Sequence, residues 1–160
     1  VSETAVRSGL QHVAWEGRLD IVGDAPTVML DGAHNPAAAA VLAEYLADWR
    51  RARPDARISL IVGMMRDKHP REFLAPLLPQ VDRLILTQAD LPRASTGSEL
   101  RLLLRDCAPS AEVAPTPADA LASAKRSAAP SDLICVTGSL MLVGELKALL
   151  RGCSLSPVRG

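Results

Sequence analysis

A carboxylate, a glycine, an imidazole and a side-chain amide fall together in Asp31-Gly32-Ala33-His34-Asn35-Pro36. An apolar run, Thr27 to Leu30, leads into them, and Pro36 suits the first position of a helix. The segment reads as a strand end passing into a helix start, where free N–H groups favour an anionic ligand. There Asp31 could hold a ribose hydroxyl or an amine, and His34 could orient a carboxylate or shuttle a proton. The same residues also fit a plain helix entry, with Asp31 and Asn35 as turn or cap residues and His34 as a solvated loop histidine. Side-chain chemistry alone leaves both readings open.

Three further clusters carry polar groups: Gly63-Met64-Met65-Arg66-Asp67-Lys68, Pro92-Arg93-Ala94 and Thr137-Gly138-Ser139. Lys68 and Arg93 could bind carboxylates or a nucleotide, or be solvated loop charges, as could Asp67. Ser139, between an apolar run and a helical pattern, could hold a carboxylate or simply cap the helix. Arg18, in Trp15-Glu16-Gly17-Arg18-Leu19-Asp20, has the forked donors that suit phosphate, or is a surface residue at a strand start. Trp15 and Trp49 read as packing residues, His69 as a lead into a helix at Pro70, and His12 has no pattern around it.

The elements that must position these groups alternate along the chain. Leu19–Val22 and Thr27–Leu30 read as short strands joined by Gly23-Asp24-Ala25-Pro26, a hairpin or tight corner. A helix follows from Pro36 and ends in Arg50, Arg51 and Arg53, whose charges complement the helix dipole. Ile58–Val62, Val81–Leu86 and Leu133–Val136 read as buried strands, with Glu112-Val113 a brief one. Arg71–Leu78, Ser98–Arg105, Pro117–Ser127 and Ser139–Leu150 read as helices. This order predicts an α/β fold: a doubly wound, mostly parallel sheet with helices on both faces. Such folds bind ligands at the carboxyl ends of their strands, where four polar or glycine-rich clusters fall: Asp31–Asn35, Gly63–His69, Thr87–Arg93 and Thr137–Ser139.

Composition sets limits on partners. Residues 1–160 read as one domain, with 152–160 a loosely held tail. Apolar residues make up 48% and aromatics only 2%, so Ala, Leu and Val must fill the core. Lys plus Arg and Asp plus Glu stand at 18 each, a balance that offers no case for nucleic acid or a membrane surface. Cys107, Cys135 and Cys153 match no zinc pattern or disulfide framework and suggest a reducing, cytoplasmic setting. Cys135 reads as a small buried hydrophobe. The chain starts without Met and has no signal-peptide shape, so it reads as a piece of a longer protein.

The hexamer 31–36 resembles the signature of folylpolyglutamate and dihydrofolate synthases, relatives of the Mur ligases. The segment 15–20 resembles the family's Trp-Pro-Gly-Arg-Leu-Glu entry. Residues 63–68 resemble its glycine-to-Asp-Lys loop, and Pro92-Arg93-Ala94 its Pro-Arg-Ala element. Val136 to Glu145 resembles the closing segment, with Met141 where an aromatic is usual. The resemblance runs from about Gly9 to Leu150 and implies a Rossmann-like Mur ligase carboxyl-terminal domain. It implies an ATP-dependent ligation of L-glutamate to dihydropteroate or folate through an acyl phosphate. Arg18 and Asp31 then resemble ATP contacts, while His34 and Ser139 resemble residues that place glutamate, His34 with a catalytic part. Lys68 and Arg93 are weaker candidates for the glutamate carboxylates.

The chain holds no Gly-x-x-x-x-Gly-Lys-Ser/Thr loop and no evident magnesium ligands. The resemblance places these in a larger amino-terminal ATPase domain, so Mg2+ is expected there and the chain alone is expected to be inactive. A monomer is implied. Two rivals remain at this stage: the carboxyl-terminal domain of a peptidoglycan-precursor Mur ligase, and a non-catalytic α/β ligand-binding module.

Overall fold

A computed structural model describes residues 2–5, 9 and 15–153; His12 and residues 154–160 lie outside them. Six strands form one sheet: β1 (Asp20–Asp24), β2 (Thr27–Leu30), β3 (Ile58–Val62), β4 (Arg83–Leu86), β5 (Glu112–Val113) and β6 (Leu133–Thr137). Their order is β1-β2-β6-β3-β4-β5. Only β1, the hairpin partner of β2, runs antiparallel. The central strands β3 and β6 are buried along their whole length, as largely apolar runs inside a parallel sheet are expected to be.

Alternation along each strand builds two cores. Met29, Ile58, Leu60, Val62, Leu84, Leu86, Leu133 and Cys135 point to one face. They meet α1 (Pro36–Ala52), α2 (Pro70–Leu74) and α3 (Gly97–Leu104) through residues such as Leu42, Leu46, Phe73 and Leu100. Val28, Leu30, Ile61, Ile85, Ile134 and Val136 point to the other face. There they meet α4 (Pro117–Ser127) and α5 (Leu140–Leu150) through Leu121, Leu142 and Leu146. Each fully buried Leu or Ile contributes about 1.5–3 kcal/mol. The doubly wound arrangement is therefore the one that lets the apolar residues on both faces of the sheet leave water.

Helix starts are set by side chains. Asn35, Thr96, Thr116 and Ser139 each accept a backbone N–H of the first turn. Thr96 and Glu99 form a reciprocal capping box.

The structure shortens one expected helix. Instead of Arg71–Leu78, α2 ends at Leu74 and a 3-10 turn follows at Leu78–Gln80. Pro76 and Pro79 lack the N–H that an α-helix needs. The strand expected from Val81 begins at Arg83, because Val81 closes that turn on the Leu78 carbonyl. Trp15 is not a packing residue: it is 71% exposed, since the turn that follows it is held by backbone groups and Asp20. Trp49 does pack at the core edge, with the Arg53 guanidinium 3.9 Å from its ring centroid.

Candidate functional site

Register brings the carboxyl ends of β2, β3, β4 and β6 to one edge of the sheet, so residues 31–35, 63–69, 87–96 and 138–139 emerge together. Backbone bonds stitch these loops to one another. Gly138 N and Thr137 Oγ1 both donate to the Ala33 carbonyl, at 2.9 and 3.2 Å. Gly63 N donates to Thr137 O, and Ser95 N to Met64 O. A β-bridge joins Met65 to Ala94, while Arg66 donates through its backbone to Arg93 O and through its guanidinium to Pro92 O. The loops bearing Lys68 and Arg93 are thereby held as one unit.

The result is a cavity of about 250 Å³ lined by His34, Asp67, Lys68, Arg93, Ser139 and Met141, among others. That is below the ~300–1,000 Å³ of drug-sized sites and suits a small metabolite. Two cations and the amino end of α5 face it, which makes it receptive to anions. Its one carboxylate, Asp67, lies 3.2 Å from Lys68 Nζ. The Lys68 hydrogen bond, opposed by slight desolvation, holds Asp67 below its ordinary carboxylate pKa. An incoming ligand carboxylate therefore competes with Asp67 for Lys68.

His34 Nδ1 lies 2.8 Å from the Gly32 carbonyl. A carbonyl only accepts, so Nδ1 carries the proton in the neutral ring and Nε2 is left as an acceptor. Ser139 is both buried and a cap, its Oγ accepting Met141 N at 3.1 Å while the residue lines the cavity.

Asp31 and Arg18 are not among the residues that line this cavity. Asp31 is buried, accepting Ala33 N on Oδ1 at 2.9 Å and Leu19 N on Oδ2 at 3.0 Å. It thus joins its own loop to the turn that carries Arg18. Gly32 N completes the join by donating to Gly17 O at 2.8 Å. In that turn Gly17 and Leu19 have φ of +71° and +46°. A non-glycine residue in the left-handed region costs roughly 1–2 kcal/mol and marks a conformation imposed by its surroundings. Asp20 and Lys147 form an ion pair that holds the turn from below. Sequence reasoning did not single out Lys147. The available signal was a lysine at a core position of α5, in line with Val143 and beside Leu146.

Among the described residues no group of three or more His, Cys, Asp or Glu side chains could hold a metal ion. The described residues therefore do not fit a resident metal.

An open parallel sheet with an anion-receptive pocket at its strand ends defines a small-ligand-binding α/β domain. The chain belongs, more particularly, to the family described as Mur ligase, glutamate ligase domain, which matches residues 17–140. It is 33% identical over 151 residues to the dihydrofolate synthase/folylpolyglutamate synthase of Escherichia coli, covering 94% of this chain and 34% of that protein. A crystal structure of the Yersinia pestis bifunctional folylpolyglutamate synthase/dihydrofolate synthase, complexed with AMPPNP and Mn, superposes with a TM-score of 0.82 at 31% identity. That match covers 94% of this chain and 35% of the other. A second structure of such a bifunctional synthase, with Mn, AMPPNP and L-glutamate bound, matches with a TM-score of 0.79 at 31% identity over the same shares. The chain spans 17–34% of the length of the first curated relatives it matches.

Proposed function

We propose that this domain forms the glutamate- and nucleotide-contacting part of an ATP-dependent ligase that joins L-glutamate to a folate or dihydropteroate carboxylate. The observation that carries the reading is the 250 Å³ cavity, which gathers His34, Lys68, Arg93 and Ser139 at the amino end of α5. L-Glutamate has two carboxylates for two cations and a helix start, and one amine for an acceptor such as His34 Nε2. The relatives support the choice, since one such synthase carries L-glutamate and a nucleotide analogue together.

In this reading the γ-phosphoryl group of ATP passes to the substrate carboxylate, leaving ADP and an acyl phosphate. The amine nitrogen of glutamate attacks the acyl carbon, phosphate departs and the amine loses its proton. A carboxylate alone is a poor electrophile, and the phosphate supplies the leaving group. Lys68, Arg93, Ser139 and the α5 start orient glutamate, and His34 Nε2 holds or accepts the amine proton. Arg18 reaches the phosphates, while Asp31 and its loop face the ribose. The remaining parts belong to an amino-terminal ATPase domain, which also binds Mg2+. Closure of the two domains excludes water from the acyl phosphate. The site works in the cytoplasm; no helix described here is long and apolar enough to cross a membrane.

The test is glutamate incorporation by the complete ligase, assayed beside this chain alone. The complete ligase should form glutamyl folates in an ATP-dependent reaction, and the isolated chain none. Amino-acid addition to a UDP-muramyl substrate instead, or ligation by the isolated chain, would overturn the reading.

A further inference from the structure

Lys147 sits on the buried side of α5, yet it bears a charge. Its ammonium ion-pairs with Asp20 and lies 3.4 Å from Glu16 Oε1. The same Asp20 oxygen accepts Gly17 N at 3.0 Å. Just past the end of α5, its cap residue Arg151 holds Glu16 at 2.9 Å. The helix thus grips both ends of residues 16–20. Between those ends the chain takes positive φ at Gly17 and at Leu19, and Leu19 N reaches Asp31. Arg18, held between them, is exposed and makes no side-chain hydrogen bond or ion pair with the described residues.

A partly buried ion pair is weak evidence for stability, because an apolar residue of similar volume often serves as well. What the pair does achieve here is geometric. It over-determines a turn that a leucine would otherwise leave, and that turn carries the exposed Arg18. We propose that Lys147 is a positioning residue for the nucleotide: through Asp20 it keeps residues 16–20 in the conformation that presents Arg18 and secures Asp31. The inference rests on the reading of Arg18 and Asp31 as nucleotide contacts. Lys147 itself stands away from the reacting atoms.

The test is a double-mutant cycle in the complete ligase, paired with amide hydrogen exchange on this 160-residue chain. Lys147→Met should raise KM for ATP about tenfold and leave KM for glutamate within about twofold. Lys147→Arg should recover most of the loss. Arg18→Ala should raise KM for ATP as well, and the double variant should be no worse than Arg18→Ala alone. In the isolated chain, Lys147→Met should speed exchange at the Gly17 and Leu19 amides while the Ala38 amide, capped by Asn35, is unchanged. Should Lys147→Met fail to fold, Asp20→Asn carries the same cycle. If Arg18→Ala weakens ATP use while Lys147→Met and Asp20→Asn leave it intact, or their effects simply multiply, the positioning role is overturned and the nucleotide reading stands. If Arg18→Ala leaves KM for ATP unchanged, the nucleotide reading falls and takes this inference with it.

Discussion

His34 and Arg93 line the same cavity but are predicted to fail in different ways when changed. Loss of the His34 imidazole removes a proton acceptor already oriented by the Gly32 carbonyl. His34→Ala should therefore lower kcat of the complete ligase by about 10²-fold or more. Arg93 offers an exposed guanidinium to a ligand carboxylate, an interaction worth about 1.5–3 kcal/mol. Arg93→Ala should raise KM for glutamate by about 10–100-fold with KM for ATP unchanged, read from initial rates at varied glutamate. The cysteines give a check that needs no activity. Burial, with the Asp31 carboxylate nearby, pushes the Cys135 thiol far above its ordinary pKa, whereas Cys107 and Cys153 are exposed. A thiol reagent should label two cysteines in the folded chain and the third only after denaturation.

The strand-to-helix junctions carry the site, and two of them fail for different physical reasons. Asn35 Oδ1 accepts Ala38 N at 2.9 Å at the start of α1, so Asn35→Ala should cost about 1 kcal/mol of folding stability. Gly138, between β6 and α5, has φ of +99°, and a Cβ there would stand 2.8 Å from the Gly63 carbonyl oxygen. Gly138→Ala should cost more, about 1–3 kcal/mol, and should also disturb Ser139 and the mouth of the cavity. Urea denaturation of the two variants orders them. The Asn35 cap is readable in sequence, because the amide precedes Pro36 at the start of an apolar-periodic run. The conflict at Gly138 is not, because the carbonyl it would meet lies 75 residues back in the chain.

Across the molecule, several carboxylates are held by partners that exist only when the sheet is assembled. Lys147 is the main cause of a lowered pKa at Asp20, as Arg83 is at Glu112, with partial burial opposing both. At Asp82 desolvation acts upward, but the Ile58 N–H and the Arg50 guanidinium outweigh it and leave the pKa lowered. A carboxylate with a lowered folded pKa binds protons more readily when unfolded. Its stabilisation is present above the ordinary carboxylate pKa, about 4, and is lost as pH falls through the folded value. Unfolding midpoints should therefore hold steady from neutral pH to about 5 and fall below about 4. Asp82→Asn should flatten that acid limb. A midpoint indifferent to pH between 5 and 2 would contradict this account.

Alternating apolar runs and helical periods predict the doubly wound sheet, and they do so locally: 58–62 reads as a buried strand, and Pro36 behind Asn35 as a helix start. Resemblance of 31–36 and 136–145 to the folate synthases, relatives of the Mur ligases, then pointed to the Mur ligase, glutamate ligase domain family, which matches residues 17–140. Exposure of Trp15 was not legible in the same way, because it depends on which groups anchor the turn after it. The early end of α2 was legible, since Pro76 and Pro79 interrupt the run in the sequence itself. Assembly of the cavity belongs wholly to tertiary structure. His34, Lys68, Arg93 and Ser139 are spread over more than 100 residues and meet only because parallel register brings four strand ends to one edge. Lys147 sharpens the point: its sequence position marks it as a buried charge, but only the packing of α5 against residues 16–20 supplies Asp20 as its partner. Local pattern chooses elements because backbone hydrogen bonding and apolar burial act over a few residues. Which side chains share a pocket is decided by register and layer, and those depend on the whole sheet at once.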